Sequence, residues 1–101
     1  MDVAYSKRGV PIRLPPDRWV HIVEHHDDLA SHRDNVLEAI EDPDAIARGK
    51  GGELLALKAM EDRSLVVVYR ETSGMDGFVI TAFFTTQPER ITKRGVVWRK
   101  R

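Results

Sequence analysis

The sequence predicts an α+β fold: two N-terminal helices packed on one face of an antiparallel β-meander. Two observations carry this. Glu53 to Thr86 holds the runs Val66-Val67-Val68-Tyr69 and Phe78-Val79-Ile80-Thr81-Ala82-Phe83-Phe84-Thr85, whose β-branched and aromatic residues suit a pleated sheet. Before them, the stretch 15–41 spaces its apolar residues as helices do. A meander alone leaves an apolar face in water, so the helices are its expected cover.

In chain order, residues 1–9 are polar and read as loosely held, as do 99–101. Val10 to Leu14 is a short edge strand, because Pro11 lacks the N–H a central strand needs. Pro15-Pro16-Asp17 opens the first helix, with proline suited to the first turn and an acid at the positive dipole end. Trp19, Ile22 and Val23 share one face of it; Arg18, His21, His25 and Asp28 share another. The second helix runs from about Ala30 to Glu41, with Val36, Leu37 and Ile40 inward, Ser31 as N-cap and Asp34 completing a weak capping box. Asp42-Pro43 ends it. Asp44 to Arg48 is a brief strand leading to the Gly49–Gly52 turn. The meander follows, broken by Glu61-Asp62 and by a loop from Thr72 to Gly77. Gln87 to Arg90 closes it, and the basic tail Ile91–Arg101 holds one further strand candidate, Val96-Val97-Trp98.

Pairing Arg70 with Phe78 puts Val67 opposite Thr81 and Leu65 opposite Phe83, while the turn at Glu61-Asp62 puts Lys58 opposite Leu65. The helix-facing set is then Leu55, Leu57, Val66, Val68, Ile80, Ala82 and Phe84. The free face carries Lys58, Leu65, Val67, Tyr69, Thr81, Phe83 and Thr85. A slip of one residue exchanges the two sets.

At 101 residues, 42% hydrophobic and 32% charged, the chain is one globular domain. Its apolar runs are strand-sized, so no membrane span is expected, and MDVAYSKRG lacks a signal-peptide core, which points to the cytoplasm. The absence of cysteine excludes disulfides, Cys-ligated zinc and thiol nucleophiles. The formal net charge of zero conceals an asymmetry. Residues 24–44 hold eight acids against Arg33 alone, whereas the last twelve hold Arg90, Lys93, Arg94, Arg99, Lys100 and Arg101 without an acid.

His21 and His25, four apart, project from one side of the first helix. Imidazoles suit removal of a proton from a ribose 2′-hydroxyl and protonation of the leaving oxygen. Lys58 and Arg70 are the strand cations able to meet charge building on a phosphate, with Arg48 and Arg99 as substitutes. Thr81 and Thr85 offer hydroxyls, Tyr69 and Trp98 offer rings for stacking, and Lys93, Arg94, Arg99 and Lys100 offer phosphate contacts. Plainer roles compete: solvated histidines (as for His26 and His32), edge charges at Lys58 and Arg70, and packing at Tyr69 and Trp98. A metal held by His21 and His25 with Glu24 or Asp28 lacks a third ligand at defined spacing, so neither metal nor other cofactor is expected.

Two N-terminal helices, the run His21-Ile22-Val23-Glu24-His25, the step Glu41-Asp42-Pro43-Asp44, and V-V-V-Y-R followed by V-I-T-A-F resemble the barnase–EndoU–colicin–RelE-like ribonuclease superfamily, in its small phage- and toxin-associated branch. The resemblance covers roughly residues 12–86 in layout. It implies a RelE/barnase-like fold and metal-independent cleavage of RNA on the concave sheet face with nearby helix residues. By resemblance, His25 with His21 corresponds to the branch's helix-borne histidines and Thr81 to the threonine of its V-I-T-A strand, while no position matches a family arginine or glutamate. The expected function is an endoribonuclease working through a 2′,3′-cyclic phosphate, as the toxin of a toxin–antitoxin pair. Its expected catalytic set is His21, His25, Lys58, Arg70 and Thr81. Its partners would be RNA, free or on the ribosome, and an antitoxin protein. The alternative is a catalytically inert RNA-binding or protein-interaction module on the same fold.

Overall fold

The computed structural model describes residues 2–101. In chain order it contains β1 (Asp2–Tyr5), β2 (Pro11–Leu14), α1 (Pro16–His25), a 3-10 turn (Asp27–Leu29), α2 (Arg33–Glu41), β3 (Ala45–Arg48), β4 (Leu54–Ala59), β5 (Ser64–Ser73), β6 (Asp76–Thr85), α3 (Glu89–Thr92) and β7 (Val96–Arg99).

The expected fold is overturned. In place of two helices on an antiparallel meander of RelE/barnase-like layout stands a seven-stranded mixed sheet, ordered β1-β2-β6-β5-β4-β3-β7, with three short helices. The meander β4-β5-β6 is only its middle. β3 and β7 extend it antiparallel on one side. On the other, β2 joins β6 in parallel and β1 pairs antiparallel with β2. One polar device and one added edge strand make this extension. Arg13 grips Asp76 through two hydrogen bonds, Nε at 2.8 Å and Nη2 at 3.1 Å, which seats β2 against the start of β6. Residues 2–5, expected to be loose, form an edge strand whose one small inward residue, Ala4, is buried. The second helix also begins later than expected: His32 rather than Ser31 is its N-cap, and no side chain caps it.

In β4, β5 and the start of β6 the two faces of the sheet are exchanged relative to the expected register, while Ala82 and Phe84 face the helices as expected. Ala56, Leu65, Val67, Tyr69, Val79 and Ala82 pack under the helices with Ile22, Leu29, Val36 and Ile40. Leu55, Leu57 and Val66 lie on the other face, beneath Ile91 of α3. A β-bulge ends the exchange part-way along β6. Arg70 does pair with Phe78 and Lys58 with Leu65, but an extra residue at Ile80 makes Val68 face Thr81, Val67 face Ala82 and Leu65 face Phe84. From Thr81 onward every β6 side chain is therefore shifted by one against β5.

The sheet curls around α2, which is tied to both of its edges. Arg33 Nε lies 2.6 Å from Asp2 on β1, and Glu41 accepts the Tyr5 backbone N–H at 3.0 Å. Just past the helix, Asp42 takes Lys58 of β4 and Lys100 beyond β7, at 3.1 and 3.3 Å. The curl brings the β1–β2 loop to the far edge, where the Lys7 ammonium stands 5.2 Å from the centre of the Trp98 ring. No helix among the described residues is long and apolar enough to cross a membrane.

Candidate functional site

Because β2 stops at Leu14, α1 rather than another strand lies beside the rest of β6. The Arg18 guanidinium donates to the Ile80 backbone carbonyl at 3.4 Å. At the other end of α1, the His26 ring centre is 6.2 Å from that of Phe83. Arg18, His21 and His25 follow one another at spacings of three and four, so they share a flank of the helix. His21 and His25 are both exposed, with ring centres 4.5 Å apart. His25 Nδ1 lies 2.9 Å from the His21 backbone carbonyl oxygen. A carbonyl only accepts, so Nδ1 carries the proton, and in the neutral ring Nε2 is left as a proton acceptor.

On the face turned away from α1 and α2, Leu55, Val68, Ile80 and Phe83 floor an open groove of about 370 Å³, bordered by Glu53 and Arg94. Thr81 pairs with Val68 and shares this face. Arg70 stands at one end, donating to the Gly51 carbonyl at 2.8 Å and lying 3.5 Å from Glu53. Hydrogen bonds from backbone N–H groups, its own foremost and that of Gly51 next, hold the Glu53 carboxyl below its ordinary value, with a smaller pull from Arg70. Glu53 is therefore charged, and it balances Arg70. Arg18 and Arg94 form no ion pair among the described residues, which leaves the groove an excess of positive charge.

Of the residues expected to form a site, Arg94 lines this groove, Thr81 and Arg70 lie on the same sheet face, and His21 and His25 stand on the α1 flank that carries Arg18 to the Ile80 carbonyl. The others are dispersed. Lys58 is on the helix side of the sheet, donating to the Asp42 carboxylate and carbonyl. That hydrogen bond raises the pKa of Lys58 and, with Lys100, lowers that of Asp42. Tyr69 is 1% exposed and packs in the core. Thr85 accepts the Gln87 backbone N–H at the far end of β6. Lys93 is exposed just after α3. Trp98, Arg99 and Lys100 belong to the opposite edge: Trp98 lies under Lys7, Arg99 borders a separate cleft with Asp44 and Glu89, and Lys100 meets Asp42.

Three residues in or beside the groove were not expected: Phe83 lines it, while Arg18 and His26 approach it through Ile80 and Phe83. Arg18 was legible, since it lies three residues before His21 on the same helix flank. Phe83 was assigned to the correct free face only because the exchange of faces and the bulge offset each other. His26 carried no signal: its backbone leaves the helix at φ −139°, which takes it off the helical stripe. Among the described residues no three His, Asp or Glu side chains converge to hold a metal ion. No family model, curated protein or solved structure matches this chain.

Proposed function

We propose that the groove binds single-stranded RNA and that His25 initiates its cleavage. What supports this is the lie of α1 along β6: Arg18 touches the carbonyl of the groove residue Ile80, and His25, with a free Nε2, lies on the same helix flank as Arg18. An aromatic ring, Phe83, lies open there to stack on a base. Arg94 and Arg18 meet phosphates.

In the proposed reaction His25 Nε2 takes the proton of the ribose 2′-hydroxyl. The resulting oxygen attacks the adjacent phosphorus, and the bond from phosphorus to the 5′-oxygen breaks. A 2′,3′-cyclic phosphate forms, and an imidazolium returns a proton to the departing oxygen. His26, whose ring centre is 6.2 Å from that of Phe83, is assigned that role, because the contact between the His21 and His25 rings leaves no space for a phosphate between them. The arginines stabilise charge on the equatorial oxygens.

The test compares wild type, His25→Ala and His26→Ala on a short RNA, on the matching DNA and on translating ribosomes, each with EDTA present. Cleavage of RNA alone is expected, with His25→Ala slower by about 10²–10⁴-fold while folded. Equal rates for wild type and His25→Ala would end the assignment. Binding of RNA by the wild type without cleavage in either setting would make the groove an inert RNA-binding surface.

A further inference from the structure

A second concavity lies on the other face of the sheet. Beyond the reach of the helices, Ile46, Leu54, Tyr69, Glu71 and Trp98 line a cleft of about 270 Å³, roofed by Lys7 and Arg8 from the β1–β2 loop. It is small for a drug-sized ligand and suits a single base or fragment. Its polar groups are unusual for a packing defect. Tyr69 is 1% exposed, yet its hydroxyl makes no hydrogen bond among the described residues. No fully enclosed side-chain polar atom among them lacks a partner, so this hydroxyl opens onto the cleft that its ring lines. Burial foremost, with the charge of Glu71 adding to it, pushes the phenol pKa well above its usual value, which keeps it a donor.

Glu71 is the neighbour. Its side chain is 10% exposed, accepts the Ser6 hydroxyl at 2.6 Å and lies 3.7 Å from Arg8 Nη1. A carboxylate has about four acceptor positions, so these contacts leave capacity for further donors. The cleft therefore presents a lone donor beside an acceptor-only group, next to an indole face, with two cations at its mouth.

We propose that this cleft binds a guanine nucleotide, with the base edge read by Tyr69 and Glu71, the ring against Trp98, and the phosphate at Lys7 and Arg8. Only guanine among the common bases offers one acceptor followed by two adjacent donors along one edge: O6, N1–H and the N2 amino group. The acceptor meets the phenol and the two donors meet the carboxylate. Adenine offers a donor then an acceptor, and uracil has acceptors on either side of one donor. Lys7 covers the indole and is exposed, so an entering base displaces its ammonium toward the phosphate. This site is independent of the groove on the opposite face.

The experiment titrates guanosine 5′-monophosphate, adenosine 5′-monophosphate and guanosine into the full chain by calorimetry, with tryptophan fluorescence as the second reading. Saturable binding of the guanine nucleotide is expected, with the adenine nucleotide and the nucleoside each weaker by about tenfold or more. Tyr69→Phe, which keeps the ring and so the packing, should lose about tenfold in affinity while its unfolding midpoint stays near wild type. Glu71→Gln should lose the preference for guanine over adenine, and His25→Ala should bind as wild type does. No binding at millimolar nucleotide, equal binding of the two nucleotides, or an unchanged Tyr69→Phe would each overturn the assignment. A short RNA ending in guanosine that binds where the free nucleotide does not would also overturn it, since the cleft would then hold a polymer rather than a nucleotide.

Discussion

Ile12 and Gly77 are direct neighbours in the parallel pairing of β2 with β6, and their fit depends on a missing side chain. A Cβ on Gly77 would stand 2.5 Å from the Arg70 carbonyl oxygen and 2.6 Å from Ile12 Cδ1. One of these obstacles is backbone in the adjacent strand, which has nowhere to retreat.

Gly77→Ala is accordingly expected to destabilise the fold by about 1–3 kcal/mol, the range for overfilling a packed site. Gly74, three residues away in the hairpin turn, has nothing within 4 Å of its Cβ position. Gly74→Ala should be neutral, or stabilising by about 0.4–1 kcal/mol through the unfolded chain. Urea melts of the pair check both; equal effects would mean that β2 does not dock where described.

Core truncations separate the two faces. Ile40 is fully buried between the helices and the sheet, and Ile40→Ala should cost about 2–5 kcal/mol. Ile80, the bulge residue, is half-buried in the open groove, and Ile80→Ala should cost clearly less. The opposite order in denaturant melts would place Ile80 beneath α1.

Asp42 joins α2 to β4 and to the chain after β7, and hydrogen bonds from Lys58 first and Lys100 second lower its pKa. The folded value thus lies below the unfolded one, ordinarily about 3.9. The stabilisation is present above that pH and fades as pH falls through the lowered folded value. Asp42→Asn should melt lower than wild type at pH 7, with the two proteins converging as acid is added below about pH 4. A constant gap across that range in thermal melts would assign the effect to packing.

RNA affinity gives a fourth check, on the groove. Arg94→Ala should weaken binding and reduce the slope of log affinity against log salt by about 1. Lys100→Ala should leave that slope unchanged, because Lys100 is held by Asp42 at the opposite edge. Electrophoretic mobility shifts over a salt series measure both, and an effect confined to Lys100 would move the RNA to the C-terminal edge.

The run from Leu54 to Thr85 was legible as strands because β-branched and aromatic residues crowd it, and β7 was legible in Val96-Val97-Trp98. Their assembly was not. β1 offers only Asp2-Val3-Ala4-Tyr5, with one small inward residue, and its partner is fixed by Arg13–Asp76 and Arg33–Asp2, pairs separated by 63 and 31 positions. The bulge at Ile80 leaves no mark in a run whose residues are nearly all apolar or β-branched. At the site, the His21–His25 spacing was readable from helical geometry. The dispersal of Lys58, Lys100 and Trp98 was not, since it follows from the curl that brings Asp42 and Lys7 to them.

The placement of α1 along β6 has a cost for solubility. Where β2 has ended, this helix shields the outer rim of Phe78–Thr85, with Arg18 occupying the Ile80 carbonyl. That segment is rich in β-formers, nearly uncharged and free of proline, the composition of chains that stack into cross-β fibrils. Any substitution that frays α1 therefore uncovers a template for intermolecular strand addition at the same moment that it moves the histidines, and loss of the proposed RNA cleavage and precipitation should appear together.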